Sequence, residues 1–394
     1  MIREDGAEND VSRRRRPRRK RRRLNPRVVP VMFALLLFIL IGGFAAGRFL
    51  YQKYSPSKEM ADLNEYFGLE SDQDMAVVVN QENVGDMARL IDGKVYVHVD
   101  TVAQYIDDRY YWDATENLYL YALPKELVSV GVGSSSYTVA KASQDEGYVI
   151  LRADGSDAYV ALDFLQKYTN FTYQYWEEPN RVRIVTAFGS KDIVTVQKDT
   201  AVRWKAGIKS DILSKVSKGT ELFVLDEPEE IDQWTRVLTE DGFIGYIRDS
   251  KISDIGQKEE TGPEFTEPEY TSISKDYKIN MTWHQVTNME ANNYLLNKIA
   301  DAKGLTTISP TWFSIADTDG NISSLASQSY VTYAHQQGLE VWGLVDNFKD
   351  GVSTYETLSR TSSRQRLVNQ LTAAAIQYGL DGINVDFELI TQDC

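Results

Sequence analysis

Residues 379–394 read GLDGINVDFELITQDC. Within them Asn384, Asp386 and Glu388 alternate with Ile383, Val385 and Phe387, the period-two pattern of a strand whose successive side chains point to opposite faces. One face is apolar and suited to packing; the other carries an amide and two carboxylates spaced about 7 Å apart along the strand. Two ionised carboxylates in a partly dry interior are costly unless one holds a proton or both are hydrogen-bonded. The pattern therefore predicts a neutral Glu388 at moderate pH, the state a general acid requires. A buried polar network that only fixes the fold is the alternative.

Outward from this strand, the preceding hundred residues repeat one unit. INMTWHQV is followed by the helical pattern NMEANNYLLNKIADAKG, LTTISPTWFSI by ISSLASQSYVTYAHQQG, and LEVWGLVDNF by YETLSRTSSRQRLVNQLTAAAIQYG. Apolar strands alternating with helices predict parallel pairing. Two architectures fit, an open doubly wound sheet or a (β/α)8 barrel, and no glycine-rich phosphate loop follows the first strand. In a barrel Asn384, Asp386 and Glu388 face the interior, with Glu388 nearest the C-terminal rim where barrel active sites open.

DGINVDFE resembles the DxxDxDxE signature of glycoside hydrolase family 18, with Asp381, Asp386 and Glu388 in register and Asn384 where most members have Asp. Together with the modules that precede it, the variant looks like the branch of spore-cortex and cell-wall glucosaminidases. That family departs from the usual two-carboxylate scheme by substrate-assisted catalysis. The resemblance implies that Glu388 protonates the glycosidic oxygen and that Asp386 orients the 2-acetamido group of the substrate as it attacks the anomeric carbon. Asn384 cannot exchange a proton with Asp386 but can donate a hydrogen bond to it. Trp283, Trp312 and Trp342 lie near strand ends as candidate sugar-stacking residues or as core; His284 and Asp346 are further candidates for the site.

The region before these units divides by composition. Short alternating runs over residues 75–190 (KVYVHVD, NLYLYAL, SYTVA, YVILRA, RVRIVTA), with helical pieces at DTVAQYIDD and ALDFLQKY, predict a β-rich accessory domain. It resembles the copper-amine-oxidase N-terminal-like domain of bacterial surface proteins, an accessory module without copper in that setting. Its aromatic clusters, DDRYYWD and FTYQYW, suit either a sugar-stacking surface or the packing of a small domain. Residues 193–254, with KGT and EDG turns, resemble a bacterial SH3-like domain, most clearly in WTRVLTEDGFIGYI. Trp234, Val237, Ile244 and Tyr246 are spaced to fill its barrel. Such domains bind cell-wall peptide or position an attached enzyme; a spacer barrel is the alternative. Residues 255–270 read as an acidic linker.

The 394 residues carry a net charge of −14, but residues 1–27 hold a surplus of Lys and Arg, in RRRRPRRKRRRLNPR. The acidic remainder argues against a nucleic-acid partner. The basic tail leads into VVPVMFALLLFILIGGFAAG, residues 28–47, uncharged and long enough to cross about 30 Å of hydrocarbon. Flanking positive charge predicts a cytoplasmic N-terminus and an extracellular body in a bacterial cell, with residues 48–74 as a stalk; a cleaved signal peptide is the rival reading. Cys394 is the only cysteine, which excludes an intrachain disulfide. With three histidines and no cysteine pair, no metal site and no cofactor are expected.

The expectation is a multidomain chain, α+β and then α/β: a transmembrane helix, a β-rich accessory domain, an SH3-like barrel, and in residues 271–394 the first half of a (β/α)8 barrel. A whole barrel needs about 250 residues, so this chain is expected to be a truncated, inactive form. The expected function is a membrane-anchored glycosidase acting on N-acetylglucosamine-containing polysaccharide, peptidoglycan before chitin. A surface glycan-binding or adhesion protein with an inactive barrel is the alternative.

Overall fold

The computed structural model describes residues 29–227 and 231–390; the basic tail and Cys394 lie outside them. The helix Val29–Tyr54 is apolar and exposed, and is long and apolar enough to cross a membrane or to serve as a signal sequence.

Residues expected to form a stalk are packed instead. Asp62 caps the short helix Leu63–Phe67, and Ala61 and Phe67 are buried with Ala76, Val78, Leu213, Leu238 and Phe243. The Tyr66 hydroxyl donates to the Ile244 carbonyl (2.7 Å) and accepts from its N–H (3.0 Å), and burial pushes its pKa up to about 12. Although polar overall, the segment places a few apolar side chains where two β-units meet, a tertiary fit that carries no sequence period.

The first unit holds a seven-stranded sheet, built from strands between Asp74 and Val185, and a five-stranded antiparallel meander, Tyr110–Asp145. The expected helical pieces are Val99–Tyr105 and the single turn Leu162–Leu165. Many of the clustered aromatics pack: Tyr110 stacks on Tyr121 at 4.2 Å, and Tyr119, Tyr121 and Tyr137 are buried beside it. The second unit is a seven-stranded sheet over residues 189–260. Val237 fills it with Val202, Leu222 and Ile247. Trp234 and Tyr246, expected inside, are half-buried. The start of the expected linker is also a strand, Gly256–Glu260, paired antiparallel with Gly189–Ile193. Its acidic composition hid this, because Lys258 pairs with Glu221 (2.8 Å) and Glu260 with Arg183 (2.7 Å).

The C-terminal unit is a sheet of four parallel strands, Met281–His284, Thr307–Ile315, Glu340–Asp346 and Gly382–Asp386, hydrogen-bonded in sequence order. A small antiparallel strand, Ile322–Ser324, returns on the second and replaces the beginning of the expected helix, which runs Gln328–Gln336. A single apolar cluster joins Leu295, Val331, Ala334, Leu367, Leu371 and Ala374 from the helical side to Ile308, Val341 and Val345 of the strands. Helices therefore cover one face. Sequential order with the helices packed on one face is single winding; a doubly wound sheet reverses its order and carries helices on both faces.

The long helix Thr361–Tyr378 has no cap of its own at Arg360. Asp113 of the meander, almost fully buried, accepts from both the Thr361 N–H and its hydroxyl (2.6 Å each), and Glu116 accepts from the Ser362 N–H (3.0 Å) and hydroxyl. Carboxylates satisfy the orphan donors of a helix start and favour its positive dipole end. Burial raises the Asp113 pKa, but the bonds from Thr361 outweigh it and leave the carboxyl below its ordinary value. An Asp with a lowered folded pKa contributes its stability above the unfolded value, about 3.9, and loses it as pH falls through the folded value. Asp113→Ala is expected to destabilise this unit by about 1–2 kcal/mol at pH 7, with the difference from wild type shrinking towards pH 2 in denaturant unfolding. A difference independent of pH would rule out the carboxylate cap.

Candidate active site

Strand register sorts the predicted residues onto two faces. Trp283 pairs with Ser309, Trp342 with Gly382, Leu344 with Asn384, and Asp346 with Asp386. With Ile308, Val341 and Val345 turned to the helices, alternation puts Trp342, Leu344 and Asp346 on the opposite face, together with their partners Gly382, Asn384 and Asp386. Large and small side chains alternate along one row: fully buried Ser309 lies in a row with Trp283 and Trp342. At Gly382 a Cβ would lie 3.1 Å from the Trp342 indole, which would have to give by a few tenths of an ångström. Trp283 is 64% exposed, so its ring is open to solvent.

Three candidates lie elsewhere. His284 is buried on the helix side, 2.9 Å from the Tyr330 hydroxyl and stacked on that ring. Trp312 is 2% exposed and donates its indole N–H to Asn292 Oδ1 at 2.8 Å. A register shift between Thr311 and Phe313 turns both Trp312 and Phe313 into the apolar cluster. A plain two-residue period gives no warning of such a shift. Asp381 stands at the N-terminal end of the fourth strand, away from the rim, where Oδ2 accepts from His335 Nε2 and the Val341 N–H, both at 2.8 Å. In this position it secures the start of that strand to the third.

At the opposite, C-terminal end, Ser314, Asp346 and Asp386 form a row across three strands. Ser314 donates to Asp346 Oδ1 (2.5 Å), which also accepts from the Phe348 N–H (3.2 Å). Asn384, expected to donate to Asp386, donates instead to Ser309 Oγ (3.2 Å). Glu388 lies past the end of the strand and is exposed, not enclosed in the dry interior on which its expected neutral form rested.

Glu388 is nonetheless fixed through its backbone. The Asn347 side chain accepts from the Glu388 N–H (3.0 Å), and its NH2 donates to the Glu388 carbonyl (2.8 Å) and to Thr354 Oγ1 (2.8 Å). One amide thus joins the end of the third strand, the start of the next helix and the chain just past Asp386. Sequence reasoning missed Asn347, Ser309 and Ser314. Asn347 directly follows Asp346 in VDNF, and an amide next to a candidate acid at a strand end was the available signal.

The arrangement offers carboxylates at one rim, Asp386 and Asp346 side by side and Glu388 just beyond, above a row bearing two indoles. It suits proton transfer to a ligand lying across the strand ends, with aromatic surface beneath.

No protein-family model matches the chain. Over 83 residues, 20% of this chain and 24% of the relative, it is 24% identical to the uncharacterized glycosylase YvbX of Bacillus subtilis (strain 168), so it spans about a quarter of that curated relative's length. Among solved structures, a chitinase from Bacteroides thetaiotaomicron aligns with 16% identity over 29% of this chain and 38% of that one, with a TM-score of 0.24. A chitinase from Chromobacterium violaceum ATCC 12472 aligns with 19% identity over 28% and 35%, with a TM-score of 0.23. Scores this low define no shared overall fold.

Asn347→Ala removes the two hydrogen bonds on the Glu388 backbone, about 0.5–1.5 kcal/mol each. Hydrogen exchange at the Glu388 amide is expected to accelerate by roughly tenfold or more, with amides of the strand Glu340–Asp346 little changed. Equal exchange in the two proteins would remove Asn347 from this role.

Proposed function

We propose that the C-terminal unit is a glycoside hydrolase unit acting on β-linked N-acetylglucosamine polymers by substrate-assisted, retaining catalysis. The observation that carries this reading is the meeting at one strand end of Asp386, its register neighbour Asp346, and Glu388 held through Asn347. The similarity to a glycosylase over 83 residues supports it, as does the resemblance of DGINVDFE to the family 18 signature. Sequential single winding accords with a unit of a (β/α)8 barrel.

In this mechanism Glu388 donates its proton to the glycosidic oxygen as the bond to the anomeric carbon breaks. The substrate's own acetamido oxygen attacks that carbon and Asp386 accepts a hydrogen bond from the acetamido N–H, orienting the group. Water then opens the cyclic intermediate, giving its proton back to Glu388, so acid and base are one residue in turn. Asn384, bonded to Ser309, acts as part of the wall below, and Asp346 is the carboxylate beside Asp386. Trp283 and Trp342 provide stacking surface. The helix Val29–Tyr54 anchors the chain with its body outside the cell, and the SH3-like resemblance of residues 193–254 favours peptidoglycan over chitin.

The test is release of reducing ends from peptidoglycan glycan strands and from chitin oligomers. Glu388→Gln is expected to lower the rate by at least about a hundredfold, since general acid catalysis contributes roughly 10²–10⁴-fold, while saccharide binding persists. Binding by wild type without hydrolysis at any pH from 4 to 8 would favour the non-catalytic glycan-binding reading.

A further inference from the structure

A cleft of about 560 Å³ lies between the meander of the first unit and the helices Thr354–Ser359 and Thr361–Tyr378. Its size and its place between two units are those of a binding site for a small molecule or a segment of polymer. Tyr111, Leu127, Tyr355 and Val368 line it and are exposed, though large and partly apolar. Tyr111 is the outward member of the aromatic cluster whose Tyr110 packs inside.

The walls are fixed. The Tyr111 hydroxyl donates to the Ser359 carbonyl (3.0 Å), and the Arg364 guanidinium lies 4.5 Å above the Tyr111 ring. Asp113 and Glu116 hold the start of the long helix beside them. The cleft is also tied to the candidate active site. In strand–helix units the helix begins at the rim where the preceding strand ends. Thr354, at the start of its helix, bonds Asn347, which grips Glu388, and Tyr355 is the next residue.

We infer that this cleft is a distal glycan subsite, in which the accessory meander and the Tyr355 helix together take a stretch of the same N-acetylglucosamine polymer at a distance from the cleaved bond. The inference rests on the function proposed above. Aromatic faces match the apolar faces of pyranose rings, while Arg364 and Gln365 on the cleft wall bring N–H and carbonyl groups for hydroxyl and acetamido partners. Both cations of the cleft are engaged: Arg109 pairs with Asp107 (2.7 Å), and Arg364 donates to the Leu358 carbonyl and to Thr361 Oγ1, which favours an uncharged ligand over an acidic one.

The experiment uses the full chain carrying Glu388→Gln, titrated calorimetrically with chitohexaose and with chitobiose. Tyr355→Ala and Tyr111→Ala are each expected to weaken chitohexaose binding roughly three- to tenfold and to leave chitobiose unchanged. Val368→Glu, on an exposed helix face, is expected to act in the same direction with unchanged circular dichroism. Equal chitohexaose affinity across these variants, or no saturable binding by the parent, overturns the subsite. Capture of a peptidoglycan stem peptide in place of glycan, lost in Tyr355→Ala, overturns the glycan assignment. Tyr355-dependent binding with no hydrolysis by wild type leaves the subsite standing and rejects the glycosidase reading, so the two fail separately.

Discussion

Parallel pairing of the third and fourth strands of the C-terminal unit sets Asp346 beside Asp386. Neighbouring strands lie about 4.8 Å apart, and acidic side chains directly opposite each other on one face of a sheet are destabilising when left to themselves. The pair is tolerable only where water or donors reach it. Strand ends provide both: each carboxylate is half-buried, and Asp346 accepts from Ser314 and from the Phe348 N–H. The polar row thus sits at the open rim while the apolar cluster lies on the helix side.

The surrounding devices hold that rim still. Asn347 satisfies a donor and an acceptor of the Glu388 backbone where the ladder has stopped. At the other end of the same strand, Asp381 is held by His335 and the Val341 N–H. The helix that leads into the strand depends on Asp113 and Glu116, more than two hundred residues earlier, for its N-terminal donors. A loop glycine closes the arrangement: at Gly320, with φ of +81°, a Cβ would lie 2.1 Å from the Ser363 carbonyl oxygen at the start of that helix. The first unit therefore belongs to the physical support of the candidate site as well as to its surroundings.

Much of the fold was legible because it rests on local periods. The alternation in GINVD, the apolar strands before it and the helical spacing of TSSRQRLVNQLTAAAIQY each reappear as elements. What failed was non-local. The polar stalk packs and the start of the acidic linker is a strand because partners elsewhere cover a few side chains or pair their charges. A bulge turns Trp312, a candidate for sugar stacking or for core, to the helix side, and alternation after Trp283 puts His284 there as well, beside buried Tyr330.

The sequence by itself determined which residues alternate, and hence that Asn384 and Asp386 share a face, because side-chain direction in a strand is a property of the backbone alone; it put Glu388 on that face too, but the strand ends at Asp386. Only the tertiary structure decided that Asp346 stands beside Asp386, that Asn384 turns to Ser309, that Asn347 grips Glu388 and that Tyr111 meets the Tyr355 helix across a cleft. Those relations depend on strand register and on the docking of one unit against another. Both are set by the summed packing of residues far apart in the chain, which no local period records.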